Sequence, residues 1–191
     1  MIAKRFIYIL VITIFSSCSS SQKSQRYNQD MLEKIYESQK NYFNTSIDNK
    51  LDFKPIIDFA SKGRSNLYKE NKFSFEKPAK YILLEGFVNS NGRYTGILLY
   101  DNIALAYNNS QTKGWQFFIV NVRNTDSLEH VTGISQTVIS RVATWDTVYI
   151  NQLKRSVGSV VADGFSFIAS QIDNTDKKSP TIQTVGFYEF K

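Results

Sequence analysis

The stretch Lys80-Tyr81-Ile82-Leu83-Leu84-Glu85-Gly86-Phe87-Val88, followed by Asn89-Ser90-Asn91-Gly92 and then Arg93-Tyr94-Thr95-Gly96-Ile97-Leu98-Leu99-Tyr100, decides the fold. Its two apolar runs have a side-chain period of two and read as strands, and the Asn-Gly between them is a hairpin signal. Asp101-Asn102 reads as a second tight turn, Ile103 to Tyr107 as a third strand, Asn108 to Gly114 as a loop and Trp115 to Val122 as a fourth strand. Strands joined this closely in sequence form an antiparallel meander. Tyr81, Leu83 and Phe87 share one face, and Ile82, Leu84 and Val88 share the other; Trp115 and Phe117 oppose Phe118 and Val120 in the same way. Both faces are apolar, so both are expected to be covered, one of them by helices. The alternative is that one face lines an aromatic cleft for an apolar or sugar ligand.

Upstream, Leu32, Ile35, Tyr36, Phe43 and Ile47 recur among Glu33, Lys34, Glu37 and Lys40, the spacing of an amphipathic helix from Asp30 to about Ile47. A shorter helix is expected next, with Asp52 near its cap, Pro55 in its first turn, Ile56, Ile57, Phe59 and Ala60 inward, and Gly63 as its stop. Downstream, Arg123 to Gly133 is polar and reads as a loop. Ile134 to Ala143 fits helix or strand. Asp146 to Val157 reads as a helix with Val148, Tyr149, Leu153 and Val157 on one side. Phe165 to Ile172 and Thr181 to Phe190 form a closing strand pair joined by the loop Asp173 to Pro180. This order gives an α+β domain, a mainly antiparallel sheet of meander plus C-terminal hairpin with N-terminal and late helices packed on it.

The chain has 191 residues, 42% of them hydrophobic, with 14 Phe, 11 Tyr, 2 Trp, 9 Gly and 3 Pro, which suffices for one buried core and excludes global disorder. A single Cys and a single His exclude an internal disulfide framework and a zinc site built from His and Cys.

That single Cys sits at an informative place. Lys4 and Arg5 precede an uncharged run from Phe6 to Phe15, which ends in Phe15-Ser16-Ser17-Cys18. Ten helical residues cover about 15 Å, roughly half a bilayer core, so the run reads as the apolar part of a secretory signal. The segment resembles a bacterial lipoprotein signal, with Phe15 where Leu is more usual. The resemblance covers about the first 20 residues. It implies cleavage before Cys18, diacylglycerol on its sulfur and acylation of its new amino group. It assigns residues 1–17 to the signal peptide, 18–29 to the lipidated Cys and a flexible tether, and 30–191 to one globular domain. Acyl chains at about 0.8 kcal/mol per buried CH2 would hold the protein at a membrane without a spanning helix. Ser19 lacks the Asp that retains some lipoproteins at the inner membrane, so the resemblance implies the outer membrane, facing the periplasm. An ordinary signal peptide or an uncleaved anchor helix are the alternatives.

Without Lys4 and Arg5 the formal net charge falls from +6 to +4. All of that excess lies between Ser19 and Lys80, with 12 basic against 8 acidic residues; Tyr81 to Lys191 holds 9 of each. Lys62, Arg64, Lys69, Lys72, Lys77 and Lys80 face only Glu70 and Glu76, a segment suited to an anionic lipid or glycan, or to an acidic envelope partner. The plain alternative is a solvated basic loop and strand edge. No nucleic-acid motif is present.

Chemistry-bearing patterns are sparse. His130, in Glu129-His130-Val131, has no Gly-x-Ser-x-Gly companion. Glu85, Asp101, Asp146, Asp163 and Glu189 show no spacing that pairs two of them for glycoside hydrolysis. Asp173 to Pro180 lacks the ligand alternation, central Gly and closing Glu of a calcium loop, and reads as a hairpin loop. No cofactor is expected. The sequence therefore points to a non-catalytic envelope lipoprotein that binds or supports another envelope component, the alternatives being a ligand carrier with an aromatic cavity and a carboxylate-dependent hydrolase.

Overall fold

The computed structural model describes the backbone of residues 2–45, 54–70, 73–77, 79–88, 93–110, 114–155 and 165–189, and the side chains in these segments from residue 22 onward, apart from 54–56, 88, 110, 154–155, 165 and 188–189. Two helices, α1 (Ile2–Thr45) and α2 (Lys54–Lys69), lead into the meander β1 (Lys80–Val88), β2 (Arg93–Tyr100), β3 (Ile103–Ser110) and β4 (Gly114–Asn121). Helices α3 (Thr125–Thr132), α4 (Gln136–Ala143) and α5 (Thr147–Arg155) then cross to the hairpin β5 (Phe165–Asp173) and β6 (Thr181–Glu189). The six strands form one antiparallel sheet in the order β4-β3-β2-β1-β5-β6, the α+β architecture expected.

Because strand side chains alternate, the sheet has two apolar faces and needs two covers. On one face Tyr81, Leu83, Tyr94, Leu98, Leu105 and Tyr107 pack against Met31 and Ile35 of α1 and Ala60 and Leu67 of α2. On the other, Ile82, Leu84, Ile97, Leu99, Phe167 and Phe187 pack against Leu128, Val138, Ile139, Val142 and Ile150 of the late helices. The result is three layers with the sheet in the middle. The aromatic side chains fill the first face by touching one another: Trp115 lies 5.6 Å from Tyr94 and 5.9 Å from Phe59, and Phe73 lies 4.7 Å from Phe75 and 5.5 Å from Tyr81, centroid to centroid.

Several local expectations are corrected. Residues 18–29, expected as a flexible tether, continue helix α1, and Asn28 is buried. Asn28 accepts from the Phe75 backbone N–H at 2.7 Å, and Tyr27 donates to Asn174. Gly63 does not stop α2. It lies inside the helix, where a Cβ would come 2.7 Å from the Trp115 ring, so its missing side chain makes room for that indole. Arg123 to Gly133 is not a loop: Asn124 caps α3 by accepting from Ser127 N–H, and Gly133 closes it in the left-handed conformation. Ile134 to Ala143 resolves as the helix α4, with Ser135 as its N-cap. In α5, Val148 points to solvent, 67% exposed, and Ile150 is buried instead. The third strand extends to Ser110, beyond the expected end at Tyr107. Asn89 to Gly92, Ile47, Asp52 and Val157 lie outside the described residues.

Candidate functional site

Glu85 occupies the middle of β1, on the same face as Leu83, and is completely buried. Its register partner in β2 is Gly96, and Gly96 in turn is opposite Tyr107 of β3. A Cβ on Gly96 would sit 2.3 Å from Tyr107 Cζ. The empty position is therefore a slot through which the phenol crosses a whole strand, so that Tyr107 Oη donates to Glu85 Oε1 at 2.8 Å. Tyr94, two residues before Gly96 on the same face, donates to that oxygen at 2.7 Å.

The helix layer completes the arrangement. Ala60, Arg64 and Leu67 fall on one stripe of α2, which directs the guanidinium into the core. Arg64 Nη1 donates to Glu85 Oε1 at 2.7 Å and Oε2 at 2.6 Å. Gln39 of α1 bridges the pair, its Oε1 accepting from Arg64 Nη2 at 3.2 Å and its Nε2 donating to Glu85 Oε2 at 2.8 Å. Ser170, Thr184 and Ser38 extend the network, with Ser170 and Thr184 hydroxyls 3.0 Å apart and Thr184 and Ser38 hydroxyls 2.8 Å apart. The polar centre thus joins α1, α2 and strands of both hairpins.

Burial opposes the Arg64 cation more than any other single influence, and Glu85 leads the opposing influences, which together raise its pKa. Burial, and then the Glu85 charge, push the Tyr94 and Tyr107 phenols well above their ordinary value, so both remain protonated donors. Glu85 is completely buried and surrounded by Arg64, Gln39 and two phenols, an arrangement that holds α1, α2 and the sheet together. Arg64 Nε has no hydrogen-bond partner among the described residues. Arg64 also lines a cavity of about 10 Å³, together with residues including Leu32, Leu67, Phe75, Leu98 and Tyr107. That is the space of about one water molecule, far short of a pocket for a drug-sized ligand.

Five of the six basic residues singled out in the sequence fall among the described residues. Arg64 is 3% exposed and belongs to the core, a correction to its reading as a contact residue; it lies among the apolar residues of α2's inner stripe. Lys62 and Lys69 are exposed on α2, and Lys72 lies outside the described residues. Lys77 pairs with Asp101, and Lys80 lies 3.5 Å from Asp173. The segment carrying Lys77 is pinned by two buried amides: Asn28 receives the Phe75 N–H, and Asn174 donates to the Phe75 carbonyl at 2.6 Å.

His130 is exposed in the last turn of α3. Asp146 accepts from the Tyr149 backbone N–H at 3.0 Å and pairs with Arg141, and its carboxyl is held below the ordinary range, first by that backbone bond. Asp101 faces Lys77. Asp173 and Asp176 accept from backbone N–H groups within their own hairpin loop, as that loop reading requires. The Cys18 side chain, Asp163 and the Glu189 side chain lie outside the described residues.

Sequence reasoning missed the Arg64–Glu85 pair, although each half left a trace. A charge stood on the buried stripe of a helix, and another stood among alternating apolar residues of a strand. No family model, no curated protein and no solved structure matches the chain. Among the described residues no helix is long and apolar enough to cross a membrane.

Proposed function

We propose that this chain is a lipid-anchored lipoprotein of a bacterial cell envelope, held through Cys18 at the outer membrane and facing the periplasm, whose α+β domain has a non-catalytic role in binding or supporting another envelope component. The observation that carries this reading is the position of the only cysteine, directly after Phe15-Ser16-Ser17 at the end of an uncharged run that follows Lys4 and Arg5. The buried geometry supports the non-catalytic part: the one buried carboxylate in the described core is held by Arg64, Gln39, Tyr94 and Tyr107.

The test is mass spectrometry of protein made in a bacterial host, combined with labelled palmitate. A mature form beginning at an acylated Cys18, with label lost in Cys18→Ser, is the expected result. An intact leader, or a mature residue 18 carrying a free thiol, overturns the anchor. Anionic contact would rest on the exposed Lys62 and Lys69. Binding of the domain to anionic vesicles should then fall with salt and in a Lys62→Glu/Lys69→Glu variant, and no binding at low salt removes that partner class.

A further inference from the structure

The strand β4 closes one edge of the sheet and, among the described residues, carries neither the charge nor the proline that usually blunts such an edge. Its sequence, Gly114-Trp115-Gln116-Phe117-Phe118-Ile119-Val120-Asn121, has no charge and no proline. Ile119 is 71% exposed although its register partner in β3, Leu105, is 1% exposed, and neighbouring Ile103 is 38% exposed. At the other edge, β6 is overlaid by α1 and α5, and its Gly186 sits directly beneath the Phe43 ring. The two edges are therefore unequal, and among the described residues β4 is the one that presents both an unpaired backbone edge and uncovered apolar side chains.

We propose that β4 is a self-association edge, at which two copies of the chain pair their β4 strands antiparallel about a twofold axis at Phe117, joining two sheets into one. Opposed residues in an antiparallel pair lie on the same face, so a symmetric pairing must place each residue opposite one of like parity. Two such registers pair seven of the eight residues of β4. The one centred on Phe118 sets Trp115 opposite the polar Asn121. The one centred on Phe117 places Phe117 against its own copy and covers the exposed Ile119 with Trp115 of the second molecule. Aromatic–aromatic and aromatic–β-branched cross-strand pairs are stabilising, and nothing in the ladder repels an identical strand. A seven-residue ladder is small beside the ~1,200 Å² at which stable interfaces begin, so the dimer is weak and concentration-dependent. This inference goes beyond the anchor reading and does not depend on it.

The experiment uses the detergent-solubilised full chain. Light scattering over a concentration series is expected to show a monomer–dimer equilibrium whose midpoint moves up at least about tenfold in Ile119→Lys. In a Cys18→Ser chain, Phe117→Cys is expected to form an intermolecular disulfide on mild oxidation, since directly opposed Cα atoms lie about 4.5–5.5 Å apart. Lys178→Cys, exposed on the far hairpin loop, should crosslink much less. A monomer at every concentration, a dimer that Ile119→Lys leaves unchanged, equal crosslinking at positions 117 and 178, or a β4 strand engaged only by a different protein overturns the proposal.

Discussion

The two faces of the sheet are held by different physics. Toward α3, α4 and α5 the contact is apolar, with Ile82, Leu84, Ile97, Leu99 and the stacked rings of Phe167 and Phe187 meeting Val138, Ile139 and Val142. Toward α1 and α2 it is apolar around a sealed polar centre, Arg64 and Glu85 with Gln39, Tyr94 and Tyr107. An apolar interface tolerates small changes of shape at modest cost, whereas a buried ion pair specifies one arrangement of layers and is costly when only half of it remains. The first face therefore supplies bulk stability, and the second decides how the N-terminal helices are seated.

Breaking the polar centre is the largest expected effect. Glu85→Gln leaves the Arg64 cation buried without its counter-charge and should cost about 3–5 kcal/mol, measured by urea unfolding. Arg64→Met combined with Glu85→Leu should recover most of that loss; a double variant as unstable as the single one would refute the ion-pair reading. Alkaline pH loads the same face next. Tyr94 and Tyr107 have pKa values raised well above the ordinary value in the folded state, and burial pushes Tyr81 up to about 12. Each favours the neutral form in the native state, so its stabilisation is complete below about pH 10 and is lost as pH rises through the folded value. Absorbance at the phenolate band should show these tyrosines ionising late, together with loss of tertiary circular dichroism; ordinary titration of all tyrosines near pH 10 with the fold intact would contradict it.

Gly96→Ala should come third, at about 1–3 kcal/mol, because a Cβ there would sit 2.3 Å from Tyr107 Cζ and displace the phenol from Glu85. Tyr107→Phe in the Gly96→Ala background should then add little, and full additivity of the two costs would show that the slot and the hydroxyl are unrelated. The apolar face gives the smallest effect. Ile139→Val removes one buried methylene, costs about 0.5–1.5 kcal/mol and leaves the alkaline transition where it was. A shift of that transition by Ile139→Val would mean that the two faces are coupled.

Much of this architecture is legible in local sequence. Lys80 to Val88 and Arg93 to Tyr100 coincide with β1 and β2 because alternation is a property of consecutive residues. The turn at Asp101 adopts a positive φ of 52°, which a short polar side chain tolerates. The α3 helix was hidden because it is only eight residues long and buries just Leu128 and Thr132, leaving the polar composition of a loop; its signals were the capping residues Asn124 and Gly133. Gly63 misleads for another reason. A helix-stop residue and a packing notch look identical in one dimension, and only the arrival of Trp115, 52 positions later, distinguishes them.

By itself, then, the sequence determined the strands, the first two helices and the last one, their order and the two-sidedness of the sheet, since propensity, periodicity and turn chemistry act over a few neighbouring residues. Tertiary structure decided which charges are buried and which meet water. Arg64 and Lys62 are two positions apart on one helix and read alike in a basic segment, yet the turn of the helix carries Arg64 inward to a carboxylate 21 residues away and leaves Lys62 outside. The reason is that the cost of burying a charge depends on the partner supplied at that point in space, and that partner is fixed only when the layers close.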